Sequence, residues 1–257
     1  MTRFEPALCT VTFRNLAPDA IAALAQGSGL KGIEWAGDAH VRPGDMEKAK
    51  EVRRLSEAAG LALSYGSYVA PPSDSLASFA QSLETAATLG AANIRIWPGT
   101  RNRDSADYRA EEARAVASTI RAMGEAAAKR KITVSLEYHP GSLTDTTASA
   151  LRLIEAIGHD NVYLYWQPRP GLPLKEALEE IAAVGEHVSH IHVFAWDAAR
   201  NRFPLSSAED YWRQAIGALP ASRWTGPRHA MLEFVADDDP EAFRRDAETL
   251  KRILAPV

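Results

Sequence analysis

The sequence predicts a single (β/α)8 barrel spanning 1–257. Three observations carry this: short β-type runs alternate strictly with long alanine-rich helical runs, the pairs number eight, and 257 residues is the length of one such barrel. Ala7 to Phe13 is the first apolar run, and Pro18 to Gln26 reads as the first helix. Lys31 to Trp35 gives a second strand, followed by a helix from about Asp45 to Ala58. Leu61 to Tyr65 pairs with Ser73 to Leu89, and Asn93 to Trp97 with the long helix Tyr108 to Lys129. Thr133 to Tyr138 precedes a helix over Thr146 to Ile157. Val162 to Trp166 precedes Leu174 to Ala183, and Val188 to Phe194 precedes Ala208 to Leu219. His229 to Val235 and Pro240 to Leu254 close the series.

Eight alternating units favour closure over an open doubly wound sheet. The open sheet usually carries a glycine-rich phosphate turn after its first strand, and here Arg14-Asn15-Leu16-Ala17-Pro18 has no glycine. The longest loops follow strands: Ala36 to Gly44, Pro98 to Asp107, Pro140 to Asp145 and Ala195 to Ser207. In a barrel all of these open at one face, where active sites sit.

Composition narrows the partners. The formal net charge is -4, and Lys129-Arg130-Lys131 and Arg244-Arg245 are too short to form a nucleic-acid stripe. The one cysteine, Cys9, rules out an internal disulfide and a cysteine-rich zinc site. No run has signal-peptide or membrane-helix character, so a cytoplasmic protein is expected, with a small-molecule ligand and neither nucleic acid nor membrane as partner. Exposed helical faces leave a homodimer open.

Polar and ionisable residues recur at the C-terminal ends of the predicted strands: Glu34, Glu137, His139, Gln167, His190, His192 and Glu233. Strand residues alternate sides, so Ser135, Glu137 and His139 share a face, and with Leu136 toward the helices Glu137 points to the axis. A carboxylate there needs a partner. An ion pair with an arginine such as Arg95 would serve, but Glu233 repeats the pattern, and His190 and His192 add two imidazoles on one strand face. The set favours a metal site. Imidazole with carboxylate suits Mn²⁺, Mg²⁺, Co²⁺ or Zn²⁺, and ligand type alone does not choose among them. Glu34, Trp35, Asp38 and His40 read equally as a second wall of the mouth and as an ordinary polar loop. Trp35, Trp97, Trp166 and Trp196 fall at or just past strand ends. They suit stacking on a sugar ring, and each taken singly reads as a core plug.

With these residues in place the chain resembles the sugar phosphate isomerase/epimerase superfamily, the xylose isomerase-like barrels that include D-tagatose 3-epimerase and endonuclease IV. The resemblance spans the chain. It rests on Gly32-Ile33-Glu34-Trp35, Leu136-Glu137-Tyr138-His139, His190-Ile191-His192-Val193 and Leu232-Glu233, in that order. It implies one divalent metal ion, Mn²⁺ first among the candidates, held by Glu137, the sixth-strand position, His192 and Glu233. The sixth strand departs from the family pattern of Asp with His three residues later: the segment is Tyr165-Trp166-Gln167-Pro168-Arg169-Pro170, so Gln167 becomes the expected ligand. The arginine that family epimerases place six residues after the metal histidine is replaced by Ala198, with Arg200 or Arg202 as substitutes.

The expected activity is isomerisation or epimerisation of a keto or aldo sugar through a metal-stabilised enediolate, with Glu137 and Glu233 moving the proton. Glu34, Trp35, His40, Trp97, His139 and Arg200 are the expected substrate contacts. The same site suits β-elimination from a keto-sugar or keto-inositol, which conserves the residues and changes the product. A non-catalytic or partner-dependent sugar-binding barrel is the third reading. Seven histidines, few at strand ends, are too few for the three-zinc cluster of a DNA-repair barrel.

Overall fold

In a computed structural model, residues 4–255 are described. The elements run β1 (Phe4–Cys9), α1 (Pro18–Gly27), β2 (Gly32–Ala36), α2 (Met46–Ala58), β3 (Ala62–Gly66), α3 (Leu76–Leu89), β4 (Asn93–Ile96), α4 (Ala110–Ala128), β5 (Thr133–Glu137), α5 (Thr147–Ile157), β6 (Val162–Trp166), α6 (Leu174–Val184), β7 (Val188–Val193), α7 (Glu209–Ala218), β8 (Arg228–Leu232) and α8 (Pro240–Leu254). Neighbouring strands pair in parallel in chain order, and β8 returns to β1 to close the barrel. The fold is a (β/α)8 barrel, as the alternation predicts.

Local chemistry fixes where the helices begin. The Asp45, Ser75, Thr146 and Asp239 side chains accept hydrogen bonds from backbone N–H groups in the first turns of α2, α3, α5 and α8. At the end of α3, Gly90 takes φ +81°, the left-handed conformation that closes a helix at little cost to glycine. No helix among the described residues is long and apolar enough to cross a membrane.

The core has two parts. The main one lies between barrel and helices and takes the outward strand residues, including Ile33, Trp35, Leu136 and Ile191. A smaller cluster of Ala7, Cys9, Val11, Ala36, Tyr165 and Met231 lies apart from it. The inward positions of β4 to β8 are otherwise polar, with Asn93, Arg95, Ser135, Glu137, His190, His192 and His229 all buried. A barrel that fills its interior with hydrogen-bonding side chains gives up apolar burial there for chemistry at the mouth.

Two strands, the first and the last, depart from the sequence expectation by more than one residue. The first strand begins earlier and ends at Cys9; Thr10–Phe13 turns into a short 3-10 segment, because the Thr12 hydroxyl donates back to Cys9 O at 2.9 Å. β8 ends at Leu232, and Phe234 takes φ +51°, so Glu233 stands one residue past the strand.

Candidate active site

A cavity of about 330 Å³ opens at the C-terminal end of the barrel. Glu137, Gln167, Glu233 and Arg95 line it, with Trp97, His139, Tyr68, Trp196 and Phe234 among its walls. The register explains the convergence. Glu34 lies beside Cys9, Arg95 beside Gly66, and Glu137 beside Tyr165, so their side chains leave successive strands near one level.

The dominant interaction is a buried ion network around Arg95. Its Nε and Nη2 donate to Glu34 Oε1 at 2.9 and 2.7 Å, and Nη1 donates to Glu137 Oε2. All three side chains are almost fully buried. Gly66 makes room for this: a Cβ there would stand 2.7 Å from Arg95 Nη2 and 2.9 Å from Glu34 Oε1. The ion pair between Glu137 and Arg95, the alternative to a metal on sequence grounds, is therefore present.

On the other side of Glu137, His192 Nδ1 lies 2.7 Å from Gln167 Oε1 and 3.6 Å from Glu233 Oε2. Its Nε2 is buried, has no hydrogen-bond partner among the described residues, and lies 4.0 Å from Glu34 Oε1. Cys9 donates its S–H to Glu34 Oε1 at 3.2 Å, and its Sγ is 3.9 Å from Glu233 Oε1. Cys9, His192 and Glu233 offer donor atoms all within 4.8 Å of one another, a group that could hold a metal ion.

The two glutamates facing the cavity are tuned in opposite directions. Burial disfavours the charge of Glu137, but Arg95, with help from His192 and His139, outweighs it and holds the carboxyl below its ordinary range. Burial pushes Glu233 up; Glu137 and Glu34 push the same way, against the pull of His192 and Arg95. Burial also raises the Cys9 thiol well above its ordinary value, with Glu34 and Glu233 adding to it, so ionising the sulfur costs more here than in water.

The residues present fit a divalent cation. Three buried carboxylates, Glu34, Glu137 and Glu233, share one guanidinium, which leaves two negative charges in excess when all are ionised. Ligand atoms held at about 2.1 Å from one ion sit about 3.0–3.4 Å apart. The distances from His192 Nδ1 to Gln167 Oε1 and to Glu233 Oε2, 2.7 and 3.6 Å, lie just to either side of that range.

Sequence expectations meet the structure unevenly. Glu137, Gln167, Glu233, Trp97, His139 and Arg200 all line the cavity, and His192 lies directly beneath it. Trp35 does not: it is on the outward face of β2, fully buried, with its Nε1 donating to Ser56 on α2. His40 is also away from the cavity, held by Thr10 and by the carbonyl of Phe13. Trp35 packs toward α2 because the one-residue step from Glu34 reverses the side-chain direction, and His40 lies in the β2–α2 loop. Glu34 faces inward but lies under the cavity, where Arg95 and Cys9 occupy its carboxylate. His190 shares a face with His192 but sits one layer deeper, stacked on His229 at 5.1 Å and accepting from His229 N. It is a structural histidine.

The sequence reading missed Tyr68, Arg14 and Phe234, and did not weigh Cys9 as a neighbour of the carboxylates. The first three are loop residues whose direction strand alternation does not predict. Cys9 follows from pairing β1 against β2 at Glu34.

The comparisons identify the fold's relatives. The model of the xylose isomerase-like TIM barrel family matches residues 22–253. The chain belongs to this family. No curated protein matches the chain in sequence. Among solved structures, the probable 3-DHS dehydratase AsbF, involved in petrobactin synthesis in Bacillus anthracis, superposes with a TM-score of 0.77 at 19% identity, covering 96% of this chain and 99% of its own. The IOLI protein with a bound zinc atom gives 0.74 at 13% identity, covering 98% of this chain and 98% of its own. D-psicose 3-epimerase with D-tagatose, from Clostridium cellulolyticum H10, gives 0.70 at 12% identity, covering 97% of this chain and 98% of its own. At these identities the likeness establishes the shared xylose isomerase-like barrel.

Proposed function

We propose that this family member is a metal-dependent sugar isomerase or epimerase acting on a keto or aldo sugar through an enediolate. One observation carries the reading: Glu137 and Glu233 face one cavity on either side of His192 and Gln167, with carboxyl groups tuned apart. Paired carboxyls whose proton affinities are shifted apart suit the roles of base and acid. Glu137, kept ionised by Arg95, takes the proton from the carbon beside the carbonyl. Glu233, whose carboxyl burial pushes toward the protonated form, returns one from the other side. His139, packed against Trp97 with ring centroids 4.6 Å apart, orients a hydroxyl. Glu137, Gln167, His192 and Glu233 would hold the ion, Mn²⁺ being our first expectation. A divalent ion bound there supplies Lewis acidity that stabilises the enediolate charge. The D-psicose 3-epimerase neighbour supports the sugar class, and the zinc-bearing IOLI neighbour supports a metal on this fold.

β-Elimination from a keto-sugar is the second reading. It is favoured by the same split, since a carboxyl shifted toward its acid form beside one shifted toward its base form also suits loss of a hydroxyl as water, and by the AsbF neighbour.

Elemental analysis of purified protein, wild type beside Glu233→Ala, followed by NMR of candidate keto-sugars in heavy water, tests both. One equivalent of metal in the wild type and deuterium entering carbon without loss of mass supports the epimerase. Loss of water and an unsaturated product supports elimination. No metal after reconstitution and no exchange on any keto-sugar would sink both.

A further inference from the structure

Cys9 is a buried nucleophilic side chain that the chemistry above leaves unused, and the barrel fixes its place. β1 pairs Cys9 with Glu34 on β2 and Leu8 with Leu232 on β8, so the thiol stands between Glu34 on one side and Glu233 on the other. It is fully buried, donates to Glu34 Oε1 at 3.2 Å and lies 3.9 Å from Glu233 Oε1.

His192 presents its two nitrogens at two levels. Nδ1 lies 2.7 Å from Gln167 Oε1. An amide oxygen only accepts, so Nδ1 carries the ring proton and Nε2 keeps its lone pair. Nε2 is buried and unpartnered among the described residues, 4.0 Å from Glu34 Oε1, the same oxygen that the Cys9 thiol approaches. A histidine that gives one N–H to a carbonyl oxygen and keeps the other nitrogen bare has the support of a metal ligand. The Glu233 carboxylate divides likewise: Oε2 faces His192 Nδ1 at 3.6 Å, and Oε1 faces Cys9. Cys9, His192 and Glu233 each bring a donor atom within 4.8 Å of the other two. Donors on one tetrahedral zinc sit about 3.3–3.6 Å apart, so the set closes with small side-chain rotations. Glu34 Oε1 already accepts from two nitrogens of Arg95 and supplies negative field rather than a bond.

We propose that the barrel holds a second cation position beneath the cavity, made by Cys9 Sγ, His192 Nε2 and Glu233 Oε1 and selective for a thiophilic divalent ion such as Zn²⁺ or Co²⁺. Thiolate with imidazole favours those ions over Mn²⁺ and Mg²⁺. Binding forms the metal–sulfur bond and releases the thiol proton to water. The charge of the ion offsets what burial and two carboxylates add to the cost of ionising the sulfur. The position differs from the oxygen-rich set of Glu137, Gln167 and Glu233 Oε2 above it, which takes His192 through Nδ1. One neutral ring serves one ion at a time, so an ion below competes with an ion in the cavity. The position does not depend on which sugar the cavity takes.

Titration of Co²⁺ into metal-free wild-type protein and Cys9→Ser, followed by absorption, tests it. Cobalt bound to sulfur gives an intense near-ultraviolet charge-transfer band, which cobalt bound to nitrogen and oxygen alone lacks. The wild type is expected to develop this band and Cys9→Ser to lose it. Competition with a chromogenic chelator should show Zn²⁺ affinity falling roughly tenfold or more in Cys9→Ser, with Mn²⁺ affinity unchanged within about threefold. Co²⁺ bound to the wild type without the band overturns the position. So does a wild type that binds no Co²⁺, or a Zn²⁺ affinity unchanged in Cys9→Ser. The wild-type band needs no variant, so it decides the matter even where Cys9→Ser does not fold. The band with no deuterium exchange on any keto-sugar keeps the position and sinks the sugar-converting reading. Exchange with Mn²⁺ and no cobalt–sulfur band does the reverse.

Discussion

Arg95 holds Glu34 through two nitrogens and leaves only Nη1 for Glu137. Glu34 anchors the guanidinium, and the guanidinium in turn sets the charge of the carboxylate that faces the cavity. Tyr68 covers the other side, its ring 5.1 Å from Arg95 Cζ.

Removing the shared cation therefore strands two buried carboxylates. Arg95→Met is expected to destabilise the fold by about 3–5 kcal/mol, the usual cost of breaking a buried ion pair from one side. Adding Glu34→Gln and Glu137→Gln to Arg95→Met should recover most of that loss. Urea denaturation of the single and triple variants measures both. A loss below about 1 kcal/mol for Arg95→Met would mean the network carries little.

Gly66→Ala tests the same network without changing a charge. Its methyl group meets Arg95 and Glu34 at under 3 Å, so the pair must move. We expect a loss of about 1–3 kcal/mol from overpacking, together with a fall in deuterium exchange on the true substrate because Glu137 follows Arg95. Full stability with normal exchange would show that the pair shifts freely.

The barrel was legible because alternation of strand and helix is a long-range pattern that survives errors at single boundaries. The axis-facing glutamates were legible for the same reason: Leu136 outward forces Glu137 inward, and both behave so. Strand-end position alone puts Trp35 and His40 at the mouth, but side-chain direction does not: Trp35 is one step out of phase with Glu34. The depth of His190 was invisible, since residues i and i+2 share a face but lie in different layers. Arg14, Tyr68 and Phe234 reach the cavity from loops, where no periodicity applies.

Gln167 is where this chain departs from the family's sixth-strand aspartate, and Gln167→Glu restores a carboxylate at equal length. We expect divalent affinity to rise by tenfold or more, since a charged oxygen replaces a neutral one beside His192 and Glu233. Without metal, the same variant should be less stable, because a fourth carboxylate joins Glu34, Glu137 and Glu233. Chelator competition and metal-free melting measure the two effects. Unchanged affinity would place Gln167 outside the ligand set.

The deep face of the barrel predicts an acid sensitivity independent of catalysis. His229 is buried under Gly32 and against His190, and burial lowers its pKa to about 4. Glu5, 3.7 Å from its Nε2 but half exposed, does not offset this. His190 is lowered in the same direction by burial, then by His229 and Arg228. In the unfolded chain a histidine takes its proton near pH 6.5. Between about pH 6.5 and 4 the unfolded state therefore binds more protons than the folded state, and stability falls as pH falls. The contribution is fully present above pH 6.5, and its loss for His229 amounts to about 3 kcal/mol by pH 4. Glu233, raised in the folded state, works in the opposite sense, so the informative quantity is the difference between wild type and His229→Gln. Melting temperatures at pH 7 and pH 5 should diverge for the wild type and draw together in the variant. Equal pH slopes in the two proteins would mean that His229 titrates in the folded state as freely as in the unfolded one.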